Sequence, residues 1–141
     1  MPQVSRTEIF DIEVEKFYNL ILDYELYPEF VDGITRVSVL KKTAKSAEVE
    51  FEIDMIKTFR YTLKLSHSAN KKVSWTLVEG DLFKKSDGFW ELESLGKKKT
   101  KVTYSIDVDF KLLVPKMISQ KLVDKSLPSM MQSYYKKAKS L

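Results

Sequence analysis

The sequence contains no cysteine, a single histidine (His67) and only four glycines in 141 residues. The absence of cysteine excludes disulfides and thiol chemistry, and it favours a cytoplasmic protein. One histidine without cysteine is a poor basis for a metal site, and glycine is too sparse for a glycine-rich phosphate loop. We therefore predict no metal, no cofactor and no catalytic residue, and a binding protein is favoured over an enzyme.

The chain also lacks long hydrophobic runs and a strong excess of one charge. No run of 18 apolar residues occurs, so no membrane-spanning helix is expected. Strand-like sequence starts almost at once, so we expect no signal or transit peptide. The 24 basic and 20 acidic residues give a net charge of +4, and all but three of the basic residues are lysine. Lysine favours diffuse attraction to anionic surfaces, and no motif for binding DNA accompanies it.

The first part of the chain predicts a strand at 3–10 and two short helical segments. Asp11 is expected to cap the first helix, and the second helical segment covers Tyr24 to Phe30. From Ile34 the apolar residues alternate with a period of two, which predicts strands at 34–42, 46–55, 58–67, 72–79, 82–95 and 99–110. Their short connections allow only an antiparallel meander. Asp87-Gly88 is a common hairpin dipeptide, but a hairpin there would leave a very short strand, so we interpret it as a bulge within one long strand.

The last thirty residues, Leu112 to Leu141, predict one long amphipathic helix. Its apolar residues recur every three or four positions, and lysines occupy the opposite face. Pro115 suits the first turn, whereas Pro128 predicts a kink near Lys125. The apolar positions are Met117, Ile118, Leu122, Val123, Leu127, Met130, Met131, Tyr134, Tyr135, Ala138 and Leu141.

One face of the predicted sheet is apolar and aromatic and the other is charged, so the apolar face needs a cover. The terminal helix is the only element long enough to provide it. The expected fold is α+β in the order β-α-α-β(6)-α: a curved, antiparallel, seven-stranded sheet wrapped around a long C-terminal helix. We expect a single domain over residues 1–141, and a monomer.

Three short motifs carry a resemblance to a known family. They are Tyr27-Pro28-Glu29-Phe30 at a helix-to-strand corner, Gly88-Phe89-Trp90-Glu91-Leu92, and Tyr134-Tyr135-Lys136-Lys137-Ala138 near the end. With them the chain resembles the START-like, polyketide cyclase and lipid-transport (SRPBCC) superfamily, and within it the branch of coenzyme Q-binding proteins and ribosome-association toxins. The resemblance implies a helix-grip, Bet v 1-like fold with a hydrophobic cavity between sheet and helix. This sequence has Gly80-Asp81-Leu82-Phe83 where the branch commonly has Gly-Pro-Phe.

The leading hypothesis is non-catalytic binding or transport of a hydrophobic small molecule in that cavity, such as a lipid or an isoprenoid quinone like ubiquinone, in support of respiration. A cavity of about 300 Å³ or more would favour this reading, and a filled interior would favour a surface interaction. The predicted lining residues are Phe51, Ile53, Tyr61, Leu63, Trp75, Leu77, Trp90, Tyr104, Ile106, Val108, Met117, Val123, Met130 and Tyr134.

The meander is expected to sort its turns into two ends. Lysine-rich turns gather at one end, near Lys41, Lys71 and Lys98. Apolar tips gather at the other, at Val31–Ile34, Met55-Ile56, Leu82-Phe83 and Leu112–Val114. These tips either form the mouth of a cavity or a rim that docks on the inner membrane, or they close the core.

Two other functions remain open. The first alternative is a toxin-like inhibitor of translation that binds the large ribosomal subunit through its lysines. The second is a polyketide aromatase or cyclase, for which Tyr61, Tyr104 and His67 are the only inward acid-base candidates. As a lone imidazole, His67 is more consistent with a core residue than with a ligand or base.

Overall fold

The computed structural model describes residues 3–55 and 57–141, with the backbone alone described at 126–128. The strands are β1 (Gln3–Phe10), β2 (Ile34–Lys42), β3 (Ser46–Asp54), β4 (Thr58–Ser68), β5 (Lys72–Gly80), β6 (Phe83–Gly96) and β7 (Lys99–Phe110). The helices are α1 (Val14–Leu22), a 3₁₀ helix (Tyr24–Glu29), α2 (Lys116–Lys121), a π-helix (Leu122–Ser126) and α3 (Leu127–Ser140).

The seven strands form one antiparallel sheet in the order β1-β7-β6-β5-β4-β3-β2. Strands β2 to β7 are a meander, and β1 pairs with β7 at the far edge. On β3 the residues alternate between buried Ala47, Val49, Phe51 and Ile53 and the more exposed glutamates between them. The sheet is curved, and the terminal helical segment covers its apolar face. This arrangement confirms the predicted α+β helix-grip fold.

Strand β6 runs without a break through Asp87-Gly88, as predicted. Asp87 pairs with Asp107 and Gly88 with Ile106 in continuous register, so the hairpin is absent as predicted, but the prediction of a bulge at this dipeptide is wrong. A Cβ on Gly88 would lie 2.5 Å from the Ser105 carbonyl oxygen and 2.5 Å from Cζ2 of Trp75. Glycine is required here because an indole and a backbone oxygen occupy the space of a side chain.

The prediction that Asp11 caps the first helix is wrong. Helix α1 begins after Glu13, and no side chain caps its first turn. The backbone of Asp11 is instead held by the terminal helix, since its N–H donates to the Tyr135 hydroxyl (3.3 Å) and its carbonyl accepts from Lys139 Nζ (3.2 Å). Asp11 therefore connects the start of the chain to its end.

The terminal segment departs from the single helix predicted over Leu112 to Leu141. Leu112 to Pro115 form a turn and a cap, and the helix starts at Lys116. The interruption expected near Lys125 is present as the π-helix Leu122–Ser126. The side chains of Leu127 and Pro128, which entered that prediction, lie outside the described residues. Proline lacks the N–H that a regular α-helix needs at this point, which explains why the ladder changes there.

The π-helix decides which terminal residues face the sheet. It adds one residue to a turn, and each residue of an α-helix corresponds to about 100° of rotation. The face of α2 is therefore rotated against the face of α3, compared with an uninterrupted helix. Ile118 and Leu122 are buried on the first part, and Met131, Tyr134 and Ala138 on the second.

The apolar tips at one end of the meander are partly buried and partly exposed. Leu82 and Phe83 are buried and close the core, and Val31 and Ile34 are buried as well. Ile56 lies outside the described residues. The turn that contains Leu112 and Leu113 is exposed. No helix in the described part of the chain is both long and apolar enough to cross a bilayer.

Candidate functional site

The corner formed by the Tyr27-Pro28-Glu29-Phe30 motif packs against the terminal helix. The rings of Tyr27 and Phe30 both contact Tyr134 edge-on, with centroids 5.4 and 4.9 Å away. Glu29 forms an ion pair with Lys137 on the same helix (3.1 Å). The motif therefore holds α3 against the sheet, chiefly by aromatic packing, since an exposed ion pair contributes at most about 1 kcal/mol.

The hydroxyl of Tyr27 fixes the corner itself. It donates a 2.5 Å hydrogen bond to the carbonyl oxygen of Ile21, at the end of α1. The ring also stacks against Phe51 of β3. Tyr27 therefore joins α1, the sheet and α3, and its hydroxyl is satisfied inside the protein.

An aromatic cavity lies between the sheet, this corner and the terminal helix. Its volume is about 100 Å³. That is below the 300 Å³ at which pockets usually accept drug-sized ligands, and it is nearer to the space that a single small ring needs. The interior is therefore neither filled nor large enough, in this conformation, for a lipid or a quinone with a long tail.

Ten of the fourteen predicted lining residues surround this cavity. All ten come from β3 to β7 or from α3, and they are Phe51, Ile53, Tyr61, Leu63, Trp75, Trp90, Tyr104, Ile106, Met130 and Tyr134. The sheet residues among them share one face because alternate positions of a strand point the same way.

The other four predicted lining residues do not contact the cavity. Met117 is 66% exposed, because the helix starts only at Lys116 and Ile118 is the residue of α2 that turns inward. Val123 is half-buried within the π-helix. Leu77 lies where β5 has left β6, since these strands pair only from Lys72 to Trp75. Val108 is fully buried but outside the cavity wall.

Sequence reasoning missed the contribution of the helical corner to the cavity. Ile21, Tyr24 and Tyr27 close one side, and they come from segments whose packing partner could not be assigned from periodicity. Ser86, Val73 and Leu65 lie on strands at inward positions, so alternation alone could have identified them. The remaining lining residues are Val31, Asp32, Ile34, Phe83 and Leu122. Asp32 is exposed, so the lining reaches the surface beside this corner.

The cavity wall carries hydrogen-bonding groups without protein partners. Trp75 Nε1 is buried and has no hydrogen-bond partner among the described residues. The hydroxyls of Tyr61 and Tyr104 likewise form no hydrogen bond with another described residue. Burial raises the pKa of both phenols, and the Tyr61 phenol adds to the shift at Tyr104. Both hydroxyls therefore stay protonated at neutral pH and offer donors, together with the indole, to a ligand with oxygen acceptors.

His67 lies in the core near the lysine-rich end, outside the cavity wall. Its Nε2 is 2.7 Å from the hydroxyl of Tyr24. Burial lowers its pKa from the ordinary value of 6.5, and the charge of Lys42 contributes to the lowering. Nδ1 makes no hydrogen bond of normal geometry within the described residues, and the nearby carbonyls of Ala44 and Thr43 offset the lowering only in part. His67 has the surroundings of a neutral core residue.

Chemically, the site is suited to holding an apolar molecule with one or two oxygen atoms. The described residues contain no cluster of three or more histidine or carboxylate side chains that could hold a metal ion. The carboxylate at the cavity, Asp32, is exposed at its edge. The phenols, with raised pKa values, are donors and not bases at neutral pH.

The model of the family described as polyketide cyclase / dehydrase and lipid transport matches residues 11–134. The chain belongs to this family. The match extends from the end of β1 to Tyr134 on α3, so it contains the corner, the whole meander and the cavity wall. It agrees with the START-like resemblance of the sequence motifs.

Among curated relatives, the ribosome association toxin RatA of Escherichia coli (strain K12) is 26% identical to this chain over 144 aligned residues. The alignment covers 100% of this chain and 89% of the relative. RatA of Vibrio cholerae (strain ATCC 39315) is 24% identical, with 100% and 98% covered. The family member described here is thus similar along its full length to the ribosome-association toxin branch.

Solved structures show the same fold at lower sequence identity. The Zhui aromatase/cyclase from Streptomyces sp. R1128 superimposes with a TM-score of 0.84 at 11% identity, covering 97% of this chain and 93% of the other. A START superfamily protein from Mycobacterium smegmatis gives a TM-score of 0.82 at 19% identity, with 98% and 97% covered. At these identities the likeness establishes the fold of the family and nothing about its ligands.

Proposed function

We propose that residues 1–141 act as one START-like domain that binds a hydrophobic small molecule in the aromatic cavity and catalyses no reaction on it. The observation that supports this most directly is an apolar cavity that holds a buried donor without a protein partner among the described residues, Trp75 Nε1, beside the hydroxyls of Tyr61 and Tyr104. An unpaired buried donor costs free energy, so a ligand that supplies oxygen acceptors is stabilised there.

The ligand class that fits these groups is a lipid or an isoprenoid quinone such as ubiquinone. A quinone ring is flat, apolar on its faces and carries oxygen acceptors on its edge, which suits stacked aromatic side chains and neutral phenols. The protein would take such a ligand from the inner membrane as a monomeric, cytoplasmic, peripherally bound carrier that supports respiration.

A tailed ligand needs more space than the 100 Å³ of the cavity. The α2 segment is the element best placed to move, because Ile118 is its one buried residue among those described. The π-helix Leu122–Ser126 follows it directly, and π-helical turns frequently occur at functional sites. We propose that α2 swings about the π-helix to admit the tail while α3 stays clasped by the Tyr27 corner.

The test uses a pair of methionine variants on the terminal segment. Native mass spectrometry of protein purified from its own cells is expected to show a co-purifying hydrophobic molecule. A short-chain ubiquinone analogue should raise the midpoint of thermal unfolding of the wild-type protein. Met130→Trp places an indole in the cavity and should abolish this shift, whereas Met117→Trp should retain it because Met117 is exposed.

Two results would contradict ligand binding. One is the repeated absence of a co-purifying molecule together with no quinone-induced shift in the wild-type protein. The other is an equal shift of the unfolding midpoint in wild type and in Met130→Trp, because a ligand that still binds when the cavity is blocked must bind elsewhere.

A second candidate function is association with the large ribosomal subunit, for which the full-length similarity to the RatA toxins is the favouring observation. The β2–β3, β4–β5 and β6–β7 turns lie at one end of the antiparallel sheet, and they bring together Lys41, Lys45, Lys71, Lys97 and Lys98. Such an end could contact ribosomal RNA phosphates.

Co-sedimentation with large ribosomal subunits over a series of salt concentrations tests this candidate. Binding should weaken steeply with salt, and Lys71→Glu combined with Lys98→Glu should remove it. Lys64→Glu combined with Lys121→Glu is the matched control, because both lysines are exposed and lie outside these turns, in the middle of β4 and at the end of α2. Failure to sediment even at low salt would exclude the candidate.

A further inference from the structure

The turn between β7 and α2 presents two leucines to solvent. Leu112 is 93% exposed and Leu113 is 96% exposed. The turn is closed by a 3.0 Å hydrogen bond from the Val114 N–H to the Lys111 carbonyl oxygen, which puts the leucines at its two central positions. These positions normally carry glycine, proline, asparagine, aspartate or serine. The leucines therefore neither favour the turn conformation nor pack in the core.

Further apolar and basic groups surround these leucines. Met117 of α2 is also mostly exposed, so three large apolar side chains are exposed within six residues. The segment 111–121 contains three lysines and no acidic residue. A groove beside the turn is lined by Lys57, Phe59, Asp81, Lys84, Lys111, Leu112, Leu113 and Val114. We call the surface formed by residues 111–117 with Lys57 and Lys84 the leucine turn.

The one carboxylate in this groove is already engaged. Asp81 Oδ1 accepts a 2.8 Å hydrogen bond from the backbone N–H of Arg60. The Lys57 ammonium lies over the ring of Phe59, 5.7 Å from its centroid. The leucine turn therefore combines exposed apolar tips with a surrounding excess of positive charge.

The leucine turn is connected to the cavity through aromatic packing. The ring of Phe83, on the cavity wall, contacts Tyr61 (5.1 Å between centroids) and Phe110 (5.3 Å). Phe110 is the last residue of β7 and lies two positions before Leu112. A surface that held these leucines would thus be close to the wall of the cavity.

We propose that the leucine turn docks this protein on an anionic lipid bilayer. Leu112 and Leu113 enter the acyl-chain boundary, while Lys57, Lys84, Lys111 and Lys116 remain at the level of the phosphate headgroups. Burial of two leucine side chains and attraction of several lysines act together, as in other peripheral membrane proteins. A nucleic-acid surface would use the lysines but would leave the leucines in water.

This inference extends the proposed function by naming the surface through which a lipid-like ligand is exchanged, but it can fail separately. Binding is measured by co-flotation of the full-length protein with phosphatidylcholine vesicles and with vesicles that contain phosphatidylglycerol as well. We expect the wild-type protein to float with the anionic vesicles at low salt and weakly with the neutral ones. Leu112→Ser combined with Leu113→Ser should weaken binding at least about tenfold.

The matched control replaces two leucines that are exposed on strands elsewhere. Leu40→Ser combined with Leu95→Ser should leave flotation unchanged, and neither pair should alter the fold because all four leucines are exposed. Lys111→Glu combined with Lys116→Glu should remove the preference for anionic vesicles. Met130→Trp should still float, since it blocks the cavity and not the turn.

Three outcomes would overturn the inference. They are no flotation of the wild-type protein at low salt, equal flotation of the Leu112→Ser, Leu113→Ser variant, and equal losses in both leucine pairs. A further result would also contradict the membrane proposal: the wild-type protein does not float with vesicles, and the Leu112→Ser, Leu113→Ser variant loses co-sedimentation with ribosomes. The leucine turn would then be a contact surface for a macromolecule.

Discussion

The Tyr24 hydroxyl lies 2.7 Å from Nε2 of His67, and this contact joins the 3₁₀ corner to strand β4. It is shielded at the surface by Lys42, whose ammonium lies 5.6 Å from the Tyr24 ring centroid and donates to the Leu22 carbonyl oxygen (2.9 Å). A neutral imidazole is therefore built into the core beside a positive charge.

The first prediction concerns pH. Because burial lowers the pKa of His67 in the folded protein, the unfolded chain binds a proton first as the pH falls below the ordinary value of 6.5. Acidification therefore favours unfolding. The neutral imidazole contributes fully to the free energy of unfolding above pH 6.5, and this contribution is lost as the pH falls below that value. Urea denaturation from about pH 8 to about pH 5 should show a larger loss of stability for wild type than for His67→Gln. Parallel losses in the two proteins would contradict the assignment.

The second prediction separates phenols that serve the fold from phenols that serve the cavity. Tyr27→Phe removes a buried hydrogen bond to the Ile21 carbonyl oxygen and should cost about 1–3 kcal/mol. Tyr61→Phe and Tyr104→Phe remove hydroxyls without protein partners and should stay within about 0.5 kcal/mol of wild type. Chemical denaturation measures all three. A cost at Tyr104 equal to that at Tyr27 would show that its hydroxyl is satisfied inside the protein.

The third prediction concerns the backbone of β6. Gly88→Ala places a methyl group 2.5 Å from both a carbonyl oxygen and the Trp75 indole, so a strand or the indole must shift. We expect a destabilisation of about 1–3 kcal/mol and a change in tryptophan fluorescence. Gly96→Ala is the control, because its added Cβ has no described atom within 4 Å apart from those of its neighbours in the chain. Equal stability of the two variants would show that the close approach at Gly88 does not occur.

The fourth prediction tests the register of the terminal segment. Met131 is fully buried on α3, and Met131→Ala should cost about 2–5 kcal/mol. Met117 is exposed, and Met117→Ala should change stability by less than about 0.5 kcal/mol. An uninterrupted helix would place both methionines near the same face. Similar costs at the two positions would therefore favour a straight helix over the π-helical interruption.

Strand alternation in the sequence determines most of the fold. Parity along β3 and β4 placed Phe51, Ile53, Tyr61 and Leu63 on the concave face, and all four line the cavity. The reason is local: successive side chains of a strand point to opposite faces, so one buried residue assigns the rest. Strand length, and not alternation, predicts that Asp87-Gly88 lies within one long strand, and only the structure shows that no bulge occurs there.

Three features of the protein depend on its tertiary structure and do not follow from local periodicity. The rotation between α2 and α3 depends on a single π-helical turn, and Met117, which was predicted to line the cavity, lies on the surface. The role of Tyr24 and Tyr27 depends on where a short corner meets the sheet. The cavity volume of about 100 Å³ depends on how closely large side chains from six strands interdigitate. Sequence patterns record which residues avoid water, whereas the space left between them is set by packing across residues that are distant in the chain.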